Sequence, residues 1–546
     1  MKSTKRLVAS LLLPAFLFLP AVFYAQTKTN KATVTEGPEV ETKRSSVSDI
    51  CGYDESGYYI VRYQKTTPYL EHINKQMAVD KSVKIPKQKD DNANPLYYSG
   101  CSMLNGNLYM FSTSKDSHAN TCTFYSQKVT TSSLTFDTPK AIGTATYPNR
   151  RGLMHSLAFG VSFFRNISPD ESHMLLYNTD MSKDEGDADP TDTKFHMTVF
   201  DSEMKKEWEK DVRIPFAPGL FSVEQIKISD KGDIYIIGIE YQEKSEARFS
   251  RREGQPTYTY HLYRYSNKGN DVLEMPVDLK GKFITDVQMD GAPNGDIIAS
   301  GFYSDKGSFS IKGAFYMAID AKTQQVKVQQ MSEFGSDFIT QYYSEKEKKK
   351  EKKKEEKNGE EPELYQFRLD NLLIHEDGGV TLLAEQFFID VRTYTTYDAQ
   401  SHTTRTYSVY YYNYNDILVM SFDKTGMLTW KTKIPKRQTS VDDGGYYSSY
   451  VYSVVGDKIY FIYNDNPKNL FLPAGQKPEA FIRTKEVAVV LAEVNADGKL
   501  TRELLMTTEG NDLVIRPKMC EQTGEKEVLL LAEKSKSYQF SKVIFK

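Results

Sequence analysis

Residues 416–435 read DILVMSFDKTGMLTWKTKIP: an apolar run Ile417 to Phe422, a turn Asp423-Lys424-Thr425-Gly426, and a second run Met427 to Ile434. Both runs are short and rich in strand-forming residues, and the turn carries the glycine that a tight connection between right-twisted strands demands. The stretch is therefore a β-hairpin. Similar hairpins occupy Tyr263 to Pro276, Phe315 to Val328 and Val487 to Leu505.

A second kind of hairpin precedes these, marked by a Gly, Asn or Asp turn between apolar runs. It occurs at Asp54-Glu55-Ser56-Gly57, Leu104-Asn105-Gly106-Asn107, Ser168-Pro169-Asp170-Glu171, Ser229-Asp230-Lys231-Gly232, Pro293-Asn294-Gly295, His375-Glu376-Asp377-Gly378-Gly379, Val455-Gly456-Asp457 and Glu521-Gln522-Thr523-Gly524. Two hairpins per copy make a four-stranded unit, and repetition of such a unit covers sheet faces and shortens exposed edges. The prediction is an all-β chain, an eight-bladed β-propeller over residues 45–546, with seven blades as the alternative. The last copy lacks an outermost strand after Tyr538 to Phe545. Residues 26–44 either supply it, from Ala32 to Thr42, or form an unstructured lead. The Lys/Glu-rich stretch 345–361 has no apolar face and is expected to be a solvated loop, with a transient helix as the alternative.

Composition agrees with strands: 37 Tyr and 29 Phe stand against two Trp. At 546 residues the chain exceeds one compact core, which suits a repetitive architecture. A net charge of -3 gives no reason to expect nucleic acid or an anionic membrane as partner. Lys2, Lys5 and Arg6, followed by apolar Leu7 to Leu19 and the small residues Ala21 and Ala25, read as an export signal occupying residues 1–25. No later segment is apolar enough to span a bilayer, and the expected location is periplasmic or extracellular.

Oxidising surroundings permit disulfides among Cys51, Cys101, Cys122 and Cys520. Cys51 and Cys520 fall on the first strands of the first and last copies, neighbours in a closed ring, and are one candidate pair. Cys101 with Cys122 is the other, and free buried thiols are the default. Their spacing matches no zinc site.

Ser421 to Trp430 resembles the repeat of quinoprotein-type (PQQ-like) propellers, in which an Asp-x-x-Gly turn precedes a docking Trp. Ser168-Pro169-Asp170-Glu171 with Met174-Leu175-Leu176-Tyr177 is similar to the TolB-like repeat. Each match spans a single copy, and with only Trp208 and Trp430 available the resemblance implies architecture, not a cofactor. The whole chain resembles the uncharacterised secreted propellers of Gram-negative bacteria, which share a fold and no known activity.

The connections sort by side. Turns within hairpins are short, whereas Asp180 to Lys194, Gln242 to Thr257, Asp390 to Tyr414, Asp465 to Thr484, Ser336 to Glu363 and Lys436 to Tyr447 are long, and all fall on one side of a propeller. Long loops on a rigid scaffold carry function, so that side is the expected recognition face. Its candidate contacts are Tyr394, Tyr397, Tyr407, Tyr410, Tyr412 and Tyr447, whose rings give contact area at small entropic cost, with Arg248, Arg251 and Arg252 for carboxylates or phosphates. About half of the tyrosines are expected to pack on the sheet. The aspartates of 180–192 lack the order of a calcium loop.

No phosphate loop, nucleophile elbow or zinc-binding helix motif occurs, and the eight His are scattered. The expectation is a non-enzymatic module of the cell envelope, without cofactor or metal, binding an envelope protein or glycan. The alternative is a polysaccharide-acting propeller enzyme, betrayed by carboxylates converging at the mouth of the long-loop face.

Overall fold

The computed structural model describes residues 26–42, 45–146, 163–180, 192–217, 219–242, 251–252, 255–307, 309–359, 361–398, 400, 403–473, 475–482, 487–507, 513–534 and 536–546. Residues 1–25, expected to be an export signal, residues 181–191 of the acidic stretch Asp180 to Asp192, and Arg248 lie outside them.

The chain builds antiparallel sheets of four or more strands in sequence order. The first runs Ser45–Asp54, Gly57–Gln64, Thr67–Asn74 and Val79–Lys84, and the sixth runs Phe367–Ile374, Val380–Asp398, Thr403–Phe422 and Leu428–Ile434. Local chemistry sets the turns. Gly426 takes φ 80°, and the Asp423 Oδ1 accepts the backbone N–H of Thr425 at 2.9 Å and of Met427 at 3.0 Å, closing the tight loop between the third and fourth strands.

Central strands such as Gly313–Ile319 and Ala488–Val494 are buried at every residue, because each sheet is covered on both faces. Their sequences accordingly run apolar without alternation. Tyr59, Val61 and Leu70 of the first sheet pack on Met103, Leu108 and Met110 of the second, and each later sheet packs on its successor in the same way. At the end of the series Leu529, Leu531 and Phe540 return to Val47, Tyr58 and Ile60 of the first. This face-to-face stacking of radial sheets is a β-propeller.

The outermost strand missing from the last copy comes from the beginning of the chain. Ala32–Glu36 pairs with Ser541 to Phe545, and Ala32 and Val34 are wholly buried. The two tryptophans dock on turn glycines of the next sheet. A Cβ on Gly269 would lie 3.0 Å from Trp208, and one on Gly498 would lie 2.6 Å from Trp430.

Two expectations are corrected here. Cys51 bonds Cys101, with Cα atoms 5.0 Å apart, and not Cys520. Bulges at Val47/Asp49 and Ile50/Gly52 set the face of the first strand so that Cys51 meets the second sheet. Cys520 instead donates its thiol to the Arg516 carbonyl at 3.2 Å. The stretch 345–361, expected to be a loop, forms the helix Glu345–Asn358. A reciprocal capping box joins Ser344 and Glu347, left-handed Gly359 ends the helix, and Lys477 holds Glu347 at 2.7 Å.

Among buried polar groups, Asp465 has zero exposure, and its Oδ2 has no hydrogen-bond partner among the described residues while Oδ1 accepts from Asn469 Nδ2 at 2.7 Å. Burial pushes its pKa up to about 7 from 3.8. A carboxyl whose folded value is raised stabilises the fold fully below its unfolded value, and that contribution is lost as pH rises towards 7. Asp465→Asn keeps the Oδ1 acceptor and removes the charge. It should stabilise the protein at pH 8 by about 2–3 kcal/mol and have little effect at pH 4. Urea midpoints at the two pH values check this, and equal shifts at both would contradict it.

Candidate functional site

The first strand of each sheet enters from the long-loop side and leaves into a short turn, so its residues line the middle of the ring at two levels. Towards the short turns lies a cavity of about 1630 Å³ lined by Asn166, Lys227, Asp290, Asn371 and Tyr452 among others. Here Lys227 Nζ and Gln225 Nε2 share the Gln288 Oε1, at 2.8 and 2.7 Å. Burial lowers the pKa of Lys227 and raises that of Asp290.

On the long-loop side is a recess of about 690 Å³ between the fourth, fifth and sixth sheets. Its polar lining comes from bulged first strands, with register shifts at Val223/Gln225, Ile284/Asp286 and Leu369/Asn371. Bulges re-aim side chains, and these turn Gln225, Asp286 and Asp370 into the recess. Asp286 accepts the backbone N–H of Val287 at 2.8 Å and of Leu369 at 2.7 Å, yet burial outweighs both and raises its pKa to about 7. Asp370 is also raised to about 7, by burial and then by the charge of Glu385. Its Oδ2 accepts from the Tyr450 hydroxyl at 2.7 Å, and its side chain is 24% exposed.

Beside the recess, Lys436 is wholly buried and donates to Glu385 Oε1 at 2.6 Å, Gln438 Oε1 at 3.0 Å and the Tyr414 carbonyl at 3.0 Å. Ser449 donates to Glu385 Oε2 at 2.7 Å. The rim is aromatic and cationic: Arg368 lies over Phe387, Phe387 meets Tyr414 with ring centroids 4.7 Å apart, and Lys518 lies 4.5 Å from the Tyr414 ring.

The stretch Asp390 to Tyr414, expected to be a loop, is largely strand. It prolongs the second and third strands of the sixth sheet into a projecting hairpin paired from Phe387 with Tyr414 to Asp398 with Thr403. Opposed residues share a face. One face carries Ile389, Val391, Thr393 and Tyr397 opposite Tyr412, Tyr410, Ser408 and Thr404, and has no charge. The other carries Asp390, Arg392 and Tyr394 opposite Tyr411, Val409 and Tyr407, with the Tyr394 and Tyr407 rings stacked 5.7 Å apart. Tyr394, Tyr397, Tyr407 and Tyr410 are 39 to 63% exposed, and Tyr412 is half-buried. Tyr447 departs from expectation: it is 7% exposed and packs on Phe481, Val487 and Val514. Arg251 and Arg252 form a two-residue strand against Gln255–Pro256, and their side chains lie outside the described part.

Thus the structure sets Tyr397, Tyr410 and Tyr412 on one face of the hairpin and Tyr394 and Tyr407 on the other, with Tyr447 buried elsewhere, while Asp286, Asp370 and the Glu385–Lys436 pair were missed. The available signal was an acid inside an apolar first strand, Phe283-Ile284-Thr285-Asp286 and Phe367-Arg368-Leu369-Asp370. Among the described residues no group of three or more His, Cys, Asp or Glu is placed to hold a metal, and no helix is long and apolar enough to cross a membrane.

No protein-family model matches the chain, and no curated protein does. Solved structures are similar at low identity. The WD40 domain of SCAP from fission yeast aligns over 94% of this chain and 98% of its own, with 10% identity and a TM-score of 0.38. A polysaccharide lyase, an ulvan lyase bound to a glucuronate–sulfated rhamnose unit, aligns over 81% and 90%, with 9% identity and a TM-score of 0.36. The α-L-arabinanase of Penicillium chrysogenum aligns over 64% and 94%, with 12% identity and a TM-score of 0.29.

Proposed function

We propose that this chain is an exported, eight-bladed β-propeller acting as a non-enzymatic recognition module of the bacterial cell envelope, with its long-loop face as the binding surface. The observation that carries the reading is the projecting hairpin of the sixth sheet. Its uncharged face sets Ile389, Val391, Tyr397 and Tyr410 into solvent at 43 to 63% exposure. Exposed apolar and tyrosine surface on a rigid projection is characteristic of interaction sites. Among the described residues no strand pairs with the outer edge of the hairpin beyond Phe387, which leaves backbone groups for an extended partner segment. The eight-blade count is supported by the eight sheets of four or more strands and by the packing of the last on the first.

The test is capture of envelope protein or glycan by the immobilised chain. Replacing Val391, Tyr397 and Tyr410 together by Ser should weaken capture roughly tenfold or more, with the denaturant midpoint nearly unchanged. Lys231→Ala on the short-turn face should change neither. Loss of folding in the triple variant would make these side chains structural and remove the assignment.

A second reading, a polysaccharide-acting enzyme, is favoured by Asp286 and Asp370 sharing one recess. New reducing ends from envelope polysaccharide, formed by the wild type and not by Asp370→Asn, would support it over binding alone.

A further inference from the structure

The outer edge of the projecting hairpin is an open strand. Gln386 is the last residue of Val380–Asp398 to pair with the first strand of its sheet, and the Phe387 N–H donates to the Gln366 carbonyl at 2.9 Å. From Phe387 to Asp398, among the described residues, the strand pairs only with the other strand of the hairpin, in unbroken register. We propose that this edge pairs with the same edge of a second copy of the chain, antiparallel about a twofold axis at Val391, so that two hairpins form one four-stranded sheet. The inference names the occupant of that edge and rests on the reading of the hairpin as an interaction site.

Backbone direction selects the residues. The Phe387 N–H points outward, and the alternation of a strand carries the next outward groups to Ile389, Val391 and Thr393. The opposite strand agrees. Tyr410, which faces Val391, turns its N–H and carbonyl away from the hairpin, to Asp442 Oδ1 at 2.9 Å and the Asp442 N–H at 3.0 Å. Opposed residues in an antiparallel pair either bond each other or both turn outward, so Val391 turns outward too. With Val391 opposite its own copy and Ile389 opposite Thr393, each opposed pair exchanges two backbone hydrogen bonds. The pairing ends at Thr393, because Gln366 already holds the edge at Phe387, and the strong twist of a two-stranded ribbon takes the rest of each strand out of the other's plane.

Charge separates this register from its neighbours. Asp390 and Arg392 flank Val391 on the charged face, with side chains 42% and 56% exposed. Within one hairpin Arg392 donates to Asp390 Oδ2, from Nε at 2.9 Å and Nη2 at 2.8 Å, which leaves Oδ1 for a second guanidinium. Pairing about Val391 sets each Asp390 opposite Arg392 of the second copy. A slip of one step in either direction instead opposes Asp390 to Asp390 or Arg392 to Arg392, and like charges directly opposite destabilise a sheet. Lysine, proline and bulges, which commonly guard an exposed edge, are missing from Phe387 to Asp398. On the uncharged face the pairing joins Ile389, Val391 and Tyr410 of both copies into one continuous surface, which widens the area offered to an envelope partner.

Sedimentation velocity of the purified full chain, over about a hundredfold range of concentration, should show reversible dimerisation. Asp390→Arg and Arg392→Asp should each weaken the dimer about tenfold or more, since each opposes like charges across the axis. The two variants are complementary to each other. Mixed in equal amounts they should form a dimer within about threefold of the wild-type affinity, as should the double variant that combines both changes. Recovery on mixing distinguishes pairing in this register from any effect of the substitutions on the hairpin itself. Val391→Pro removes an outward N–H that the hairpin does not use and should abolish the dimer. Should that variant fold poorly, the charge-reversed pair decides. A dimer that both reversals leave intact, or a mixture no heavier than its components, would overturn the proposal. A monomer at every concentration would overturn it as well and leave the edge to a foreign strand. Capture of envelope protein or glycan is read separately: a wild type that dimerises and captures nothing defeats the recognition of an envelope partner, and one that captures as a monomer defeats the pairing.

Discussion

Lys436→Met is expected to destabilise the protein by about 3–5 kcal/mol, because it leaves a buried carboxylate without its counter-charge. Lys436 has zero exposure and Glu385 4%, so neither can recover hydration in the folded state. All three ammonium protons are used, on Glu385, Gln438 and the Tyr414 carbonyl. Methionine fills the volume and offers none of these donors, and Glu385 would keep only the Ser449 hydroxyl. Unfolding entropy near 2.1 cal/mol/K per residue makes the melting temperature of so long a chain insensitive, about 1 °C per kcal/mol over its 546 residues. Denaturant midpoints are the better measure. The double variant Lys436→Met with Glu385→Gln should recover a large part of the loss, since it removes the stranded charge along with its partner. Additive losses in the double variant would mean that the two side chains act independently.

That pair also explains how the recognition face is held. Lys436 grips the base of the projecting hairpin through the Tyr414 carbonyl, and Glu385 grips the crossing to the seventh sheet through Ser449. The recess rim at Phe387 and Tyr414 sits directly above. Gln438–Val441 pairs with Tyr411 to Tyr414 and braces the base of the projection along one edge, and the buried directional bonds of Lys436 and Glu385 restrain it further.

What the sequence revealed was what nearest neighbours decide. Asp423 to Gly426 specifies its turn by its own hydrogen bonds and by one left-handed glycine, so the hairpins and their repetition were legible. The helix Glu345–Asn358 was equally local, with its capping box at Ser344 and Glu347 and its terminal Gly359, but the absence of an apolar face drew the reading towards a loop. Capping and tertiary anchoring through Lys477 supply what the missing face does not. Long-range pairing was not legible in the same sense. Ala32–Glu36 is five residues of ordinary composition, and only its partner in Ser541 to Phe545 makes it a strand. The recess was hidden for a different reason. A bulge shifts which side chains face inward, and no residue type in Ile284 to Asp286 or Leu369 to Asn371 announces one.

The same blindness to register misassigned the cysteines, and the correct pair gives the other large effect. Cys51 and Cys101 close a sequence separation of 50 residues between the first strands of the first two sheets, where their side chains lie among Tyr59, Met103 and Met110. In the chain-entropy account a loop of that size restricts the unfolded state by about 4 kcal/mol. Replacing both cysteines by Ala should therefore cost about 3–4 kcal/mol, with little lost packing because Ala remains small and apolar in a closely filled site. A reducing agent should shift the unfolding of the wild type by a similar amount and leave the double variant unmoved. Cys520→Ala serves as the control: its thiol is free, the variant keeps the Cys51–Cys101 bond, and it should respond to reductant as the wild type does, so loss of that response would contradict the pairing. The position adds a second consequence. The first sheet receives the returning last sheet through Val47 and Tyr58 on one face and is covalently tied to the second through the other. Opening the ring at its seam then frees a sheet that stays attached to its neighbour, so reduction should raise hydrogen exchange in Gly57–Gln64 and Asn107–Asp116 more than in Ile297–Ser304, where no covalent tie exists. Uniform exchange changes across these three strands would show that the bond acts only on the unfolded chain.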